Sequence, residues 1–292
     1  MSHIKFGWIA PVVGIADSRY NPIVIAQQEQ VLPVVAEYFD SAWVFDHFYG
    51  FEKPTDPYLE AWTTLTWLAA RYPKLQVGTL VMGVGYRNPA LVAKMGTSLQ
   101  TLSKGRLVLG IGAGWREEEY IAYGYPFPGS GVRIQQLEEA VQIIRLMWTE
   151  TAPTFKGTYY RIEEGYCPPL PSPPPPILIG GSGERSMLPL IARLADWWNI
   201  AFVDVDTYRR KRDILHRHAE AIGRDPAEIV HTYMKTDRAL PESSADSSLW
   251  RDELRPLVEL GVTHFMLDFG YASATEPILR FAEEVIAPLN AK

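Results

Sequence analysis

The feature that most limits what this chain can become is an alternation repeated from end to end. Short apolar runs rich in β-branched and aromatic residues are each followed by a longer segment of helical period. The runs are Lys5 to Ala10, Ser41 to Phe45, Leu75 to Met82, Leu107 to Ile111, Pro176 to Ile179, Trp197 to Ala201, Ile229 to Thr236 and Val262 to Leu267. Strands separated by helices pair in parallel, because each helix carries the chain back to the edge from which the strand began. Eight such units close naturally into a (β/α)8 (TIM) barrel. A doubly wound open sheet is the competing architecture, but it needs a reversal of strand order that nothing here signals. The 292 residues, 47% hydrophobic, suffice to bury such a core. The expectation is one barrel domain over residues 1–292.

Several helices carry their own punctuation. Asn88 as N-cap and Pro89 at the first helical position open one that runs apolar through Leu91, Met95, Leu99 and Leu102 and stops at Gly105. Ile134, Leu137, Val141, Ile144 and Trp148, spaced by three and four, mark one face of the next. Asn21 and Pro22 open the first, which Pro33 should kink or split. Between strands four and five the rhythm breaks over residues 151–175. A short hairpin from Phe155 to Ile162 and the tract PPLPSPPPP stand there, the tract reading as extended, polyproline-like chain. A stiff connector over the barrel is the plainer reading, and a docking site for a proline-recognising partner the alternative.

The net charge of −6 and the absence of a dominant basic stretch argue against nucleic acid or an anionic membrane as partner, and for a small molecule. Cys167 is the only cysteine, which excludes an internal disulfide and a Cys-based zinc cluster and fits a reducing compartment. The start MSHIKFGWIAP has no signal-peptide pattern and no apolar run reaches membrane-spanning length, so a cytoplasmic location is expected.

In a barrel of this kind the chemistry gathers on the loops after the strands. After the second comes Asp46-His47-Phe48. Histidine is the side chain best suited to proton transfer near neutral pH, and the adjacent carboxylate can hold a cofactor or orient a neighbour; a structural Asp capping the turn is the alternative. After the third, Met82-Gly83-Val84-Gly85 suits the packing of a flat ring against the main chain, or an ordinary loop. After the fourth, Gly110-Ile111-Gly112-Ala113-Gly114-Trp115 falls short of a dinucleotide fingerprint and reads better as room for a ligand, with Trp115 as a wall. After the fifth, Gly180-Gly181-Ser182-Gly183 leads into a helix, an arrangement whose backbone amides can grip a phosphate, with Arg185 nearby. The six histidines form no convincing metal site, although Asp46, His47, His264 and Asp268, in or near strand ends, leave a metal-dependent hydrolase as a rival.

These residues together resemble the luciferase-like monooxygenase superfamily, in its branch of deazaflavin (coenzyme F420) dependent oxidoreductases. The resemblance rests on WVFDHF at Trp43 to Phe48, on Val77 to Tyr120, and on PILIGGSGERSMLPLIARLADWWN at Pro176 to Asn199. It implies His47 as acid/base in hydride transfer and Asp46 as a cofactor contact. Leu80, Val81 and Met82 would form a bulge with a cis Leu80–Val81 peptide behind the ring, flanked by Gly83 and Gly114, with Gly180, Gly181, Ser182 and Gly183 around the phosphate. Where similar sugar-phosphate dehydrogenases place a catalytic glutamate, this chain has Trp115, which tells against their reaction; Glu118 is a further cofactor contact. Trp8, Phe48 and Trp115 are expected to shape an apolar substrate pocket. The resemblance also implies a homodimer, and leaves an FMN-dependent monooxygenase and a non-catalytic flavin-binding protein as alternatives.

Overall fold

The computed structural model describes residues 3–11, 22–51, 53–270 and 274–291. Eight parallel strands form a closed ring: β1 (Lys5–Ile9), β2 (Ser41–Val44), β3 (Gln76–Thr79), β4 (Leu107–Gly112), β5 (Ile177–Gly180), β6 (Trp197–Ala201), β7 (Val230–Lys235) and β8 (His264–Leu267). Each pairs with its sequence neighbours. β8 closes on β1 through Lys5↔His264 and Trp8↔Leu267, and β3 meets β4 through Val77↔Leu107. A closed ring has no strand-order reversal, which overturns the open-sheet alternative.

All eight expected strands are present, with ends moved by up to two residues for seven of them. The third differs more. The ladder stops at Thr79, passes through a cis Leu80–Val81 peptide and resumes at Met82–Gly83, which pairs with Ile111 and Gly112.

A strand covered on both faces carries apolar residues on both, and the structure sorts them into two layers. The barrel interior holds one residue from each strand or its immediate end: Ile9, Trp43, Leu80, Val108, Leu178, Trp197, Met234 and Met266. The alternate positions, among them Phe6, Trp8, Val44, Val77, Leu109 and Phe265, pack outward against the helices. Trp43 fills so much of the interior that a β-carbon on Gly7 or Gly78 would overlap its indole.

The helix Pro89–Leu102 has the expected start, with Asn88 Oδ1 accepting from the Ala90 amide at 2.9 Å, and Gly105 follows its end at φ +87°. Its buried face is not the expected one. Val92, Ala93, Gly96 and Leu99 are buried, while Leu91 and Leu102 are exposed, because Gly96 admits the Trp148 indole and turns the helix accordingly. Trp148 belongs to Ser130–Thr149, whose Leu137, Val141, Ile144 and Trp148 are buried as the spacing requires. The first helix, Pro22–Tyr38, runs through Pro33 unsplit, and Asn21 lies outside the described residues.

Over 151–175, Phe155–Lys156 and Arg161–Ile162 form the small antiparallel hairpin. The proline tract is not regular polyproline, since Pro168–Pro169 and Ser172–Pro173 are cis. Its carbonyls accept hydrogen bonds from helix Pro89–Leu102: Lys94 to Pro168, Thr97 to Pro169 and Gln100 to Pro173. That is the behaviour of a strapped-down connector. Among the described residues no helix is long and apolar enough to cross a membrane.

Candidate functional site

The strand ends open into a cavity of about 620 Å³ at the C-terminal mouth of the barrel. Its wall draws on the ends of β2 to β8: Asp46 and His47, Leu80 and Val81, Gly112 to Arg116, Gly180 to Ser182, Asn199 to Phe202, Met234 and Asp268.

His47 lines it and is held in place by a hydrogen bond. Its Nδ1 lies 2.8 Å from Glu119 Oε2. The same oxygen accepts from the Tyr86 hydroxyl at 2.8 Å, and Oε1 accepts from the Phe48 amide at 3.1 Å and Arg116 Nη1 at 2.8 Å. Burial raises the Glu119 pKa, but these bonds outweigh it and hold the carboxyl below its usual value. An ionised carboxylate only accepts, so Nδ1 must carry the proton. Nε2 has no partner among the described residues, on a ring that lines the cavity. Arg116 is in turn fixed by the Tyr49 and Gly50 carbonyls and by Glu118.

Asp46 does a different job. Both its oxygens pair with Arg87, at 2.8 and 2.9 Å, and Oδ2 also accepts from the Gly83 amide at 3.2 Å. Arg87 continues to Glu60 at 2.6 Å, and Glu60 caps the helix Ala61–Arg71 through the Trp62 and Thr63 amides. This chain of bonds ties the β2 and β3 loops together. Asp268, at the end of β8, is a half-buried carboxyl held by the Gly270 amide, and desolvation raises its pKa.

The glycines serve close packing. A β-carbon on Gly85 or Gly114 would fall 2.5 or 2.1 Å from the Tyr120 ring or hydroxyl, and one on Gly112 would meet Val81 at 2.8 Å. The room expected for a ligand at Gly83 and Gly114 is thus largely occupied from beneath by Tyr120. Gly112 and Gly180 instead lie against the Val81 side chain, which leaves a smooth floor on the cavity. In the β5 loop the amides of Ser182 and Gly183 have no acceptor among the described residues, and Gly183 O starts the helix Met187–Leu194 by accepting from Met187. Arg185 is exposed. Lys211 bonds Ser182 O at 2.9 Å and stands 3.0 Å from Glu184, which Arg210 also meets at 3.3 Å.

Several expected site residues move. Trp8 is 1% exposed and packs outward on Phe39 and Phe269, because on β1 it is Ile9 that faces the barrel interior. Phe48 stacks on Tyr123 and meets Tyr86 at a tilt, off the wall, and its amide donates to Glu119. Met82 packs toward the helices. The Glu118 side chain is 62% exposed and off the wall, and it is the neighbouring Glu119 that bonds His47. Gly183 lies just beyond the wall, while Trp115, Gly83, Gly114, Gly180, Gly181, Ser182, Leu80 and Val81 lie in it. The rival metal site does not form. His264 begins β8 at the barrel floor, bonded to Ser41 Oγ at 2.8 Å, roughly 13 Å from Asp268 along the strand. No metal-ligating cluster occurs among the described residues.

Comparisons with known proteins give the chain a family and a fold. An F420-dependent glucose-6-phosphate dehydrogenase of Kineococcus radiotolerans is 33% identical over 181 residues, 62% of this chain and 51% of the relative. A phthiodiolone/phenolphthiodiolone dimycocerosates ketoreductase of Mycobacterium bovis is 30% identical over 253 residues, 79% of this chain and 64% of the relative. The chain thus spans between about half and two thirds of the length of these curated relatives. Among solved structures, an F420-dependent secondary alcohol dehydrogenase in complex with an F420-acetone adduct superposes with a TM-score of 0.81. It covers 99% of this chain and 100% of that one at 20% identity, which speaks to the fold. The sequence model of the luciferase-like monooxygenase family matches residues 4–236, and over that span the chain belongs to this family.

Proposed function

We propose that the protein is an oxidoreductase using coenzyme F420, in which His47 moves a proton to or from the oxygen of a small organic substrate while hydride transfer occurs. The observation that carries this reading is the His47–Glu119 pair, with Nδ1 committed to the carboxylate and Nε2 without a partner among the described residues on a ring that lines the cavity. When bound, a deazaflavin supplies a two-electron hydride donor or acceptor.

The residues present suit such a group. Val81, backed by Gly112 and Gly180, offers a flat apolar floor, and the Ser182 and Gly183 amides with Lys211 offer an anion grip for its phosphate. Glu119 keeps the imidazole in one tautomer and stabilises the imidazolium form that arises when Nε2 takes a proton. Tyr86 and Arg116 hold Glu119, so the proton carrier does not need to be ordered at the moment of reaction. Asp46 keeps the Gly83 amide and Arg87 in place beside it.

Equilibrium titration with F420 and with FMN, followed by absorbance and fluorescence, tests the cofactor. Binding of F420 with weak or no FMN binding is expected; tight FMN binding without F420 binding would replace this reading with a flavin monooxygenase. The same reading places the protein in the cytoplasm as a homodimer of 33.0 kDa chains, which light scattering checks.

A further inference from the structure

The cavity wall around His47 is aromatic where a substrate would meet it. Phe51 and Trp115 lie parallel, 6.1 Å between centroids and 6° between planes, and each meets the His47 ring edge-on, at 4.7 and 5.7 Å. Both are half or more exposed. Phe202, at the end of β6, stands four strands round the ring from β2 and therefore on the opposite rim. It is 77% exposed and has φ +57°. A bulky L-residue avoids this left-handed region, and an apolar ring gains by leaving water. Tyr233 donates to the Val203 carbonyl and holds the backbone directly after it. The exposed face is what bears on a ligand: an apolar molecule beneath the ring shields it from water.

The charges on the wall point the same way. Among the described residues Arg116 is the one cation lining the cavity, and it is not free. It is 4% exposed, every guanidinium nitrogen is bonded, and the Tyr49 and Phe51 rings cover it at 4.5 and 4.6 Å. Arg87 is held by Asp46 and Glu60, and Lys211 stands at the β5 loop. Nothing described beside His47 could neutralise a substrate phosphate.

We infer that the site takes a neutral alcohol or the corresponding carbonyl compound with aryl or aliphatic substituents, seated between the Phe51–Trp115 pair and Phe202, and excludes phosphorylated sugars. This rests on the hydride-transfer reading above. Oxidation of the alcohol breaks its C–H and O–H bonds, the hydride passing to oxidised deazaflavin and the proton to His47 Nε2, and reduction of the carbonyl runs the same balance in reverse.

The test is calorimetric titration of acetophenone and of glucose 6-phosphate, with and without F420, together with F420-coupled kinetics on 2-propanol, 2-octanol and 1-phenylethanol. Acetophenone should bind and glucose 6-phosphate should not, and KM should fall by about tenfold or more from 2-propanol to 2-octanol as methylenes are buried. Phe202→Ala and Trp115→Ala, both at exposed positions that leave folding intact, should each weaken acetophenone by about tenfold and raise KM more than they lower kcat. Tighter binding of glucose 6-phosphate than of acetophenone, or unchanged acetophenone affinity in both variants, would overturn the inference. Failure of F420 to bind would remove the hydride-transfer reading alone, because acetophenone binding to the cofactor-free protein still decides whether the rim is an apolar substrate site.

Discussion

Two histidines stand at opposite ends of the same barrel and have opposite fates. His47, at the mouth, is bonded through Nδ1 to a buried carboxylate, and its ring lines the cavity. His264, at the floor, bonds Ser41 through Nε2, while Nδ1 is buried with no partner among the described residues and the ring lies between Trp43 and Trp197. Burial drives the His264 pKa down to about 3, so it stays neutral. An imidazole becomes a proton carrier when an ionised group orients it and a ligand can reach it; without either it is a polar piece of packing. A third histidine, His231, follows the floor pattern, with Nδ1 on the Tyr208 hydroxyl at 2.9 Å and its pKa also lowered by burial to about 3.

The contrast is most sharply broken by exchanging the roles in mutants. His47→Ala should lower turnover by about 10³-fold with little change in melting temperature, while His264→Ala should cost about 3 kcal/mol of stability by denaturant unfolding, with bound-cofactor spectra unchanged. If His264→Ala silenced the enzyme while remaining folded, the division between mouth and floor would be mistaken. Glu119→Gln should lower kcat by about 10²-fold, because the amide neither fixes the tautomer nor supports the imidazolium, and it leaves Arg116 without its buried partner. Near-normal kcat in this variant would show that His47 works unaided.

Acid stability is the next effect in size. His264 and His231 have folded pKa values near 3, below the unfolded value near 6.5. As pH falls below about 6.5 the unfolded chain gains protons that the folded one refuses, so stability drops, by at most about 1.4 kcal/mol per pH unit for each, until pH passes the folded pKa. Glu119, whose folded pKa is lowered, adds to the loss only below the ordinary carboxylate range. Urea unfolding at pH 7, 5.5 and 4.5 should therefore show a decline that begins before carboxylates titrate, and His264→Asn should flatten it. The smallest effect expected is that of Glu118→Ala. Its carboxylate is exposed, so kcat/KM should change by less than about twofold. A large loss there would move the functional carboxylate one residue back.

That adjacent pair shows where sequence reasoning stops. The eight strands were legible because a run of β-branched and aromatic residues between helical periods is a local signal, and the strand-end positions of Asp46, His47 and the glycine turn follow from it. Glu118 and Glu119 differ by about 100° around a helix, and nothing local says which turns toward a histidine 72 positions earlier in the chain. Trp8 and Ile9 are apolar neighbours on a strand buried on both faces, so composition does not distinguish inside from outside. Lys211 lies hidden in the run Tyr208-Arg209-Arg210-Lys211-Arg212, 29 residues from the carbonyl it holds. His264 and Asp268 bracket one strand, so only where that strand begins in the ladder puts the first at the floor and the second at the mouth.

The sequence by itself therefore determined the number and order of the units, the parallel barrel they make, and the loops on which chemistry must gather, because propensity, periodicity and capping act over a few neighbouring residues. Only the tertiary structure decided which carboxylate orients His47, which cation serves the glycine turn, and that the two polar ends of the barrel differ in kind. Those outcomes depend on contacts between distant segments, and on burial, which no short window of sequence contains.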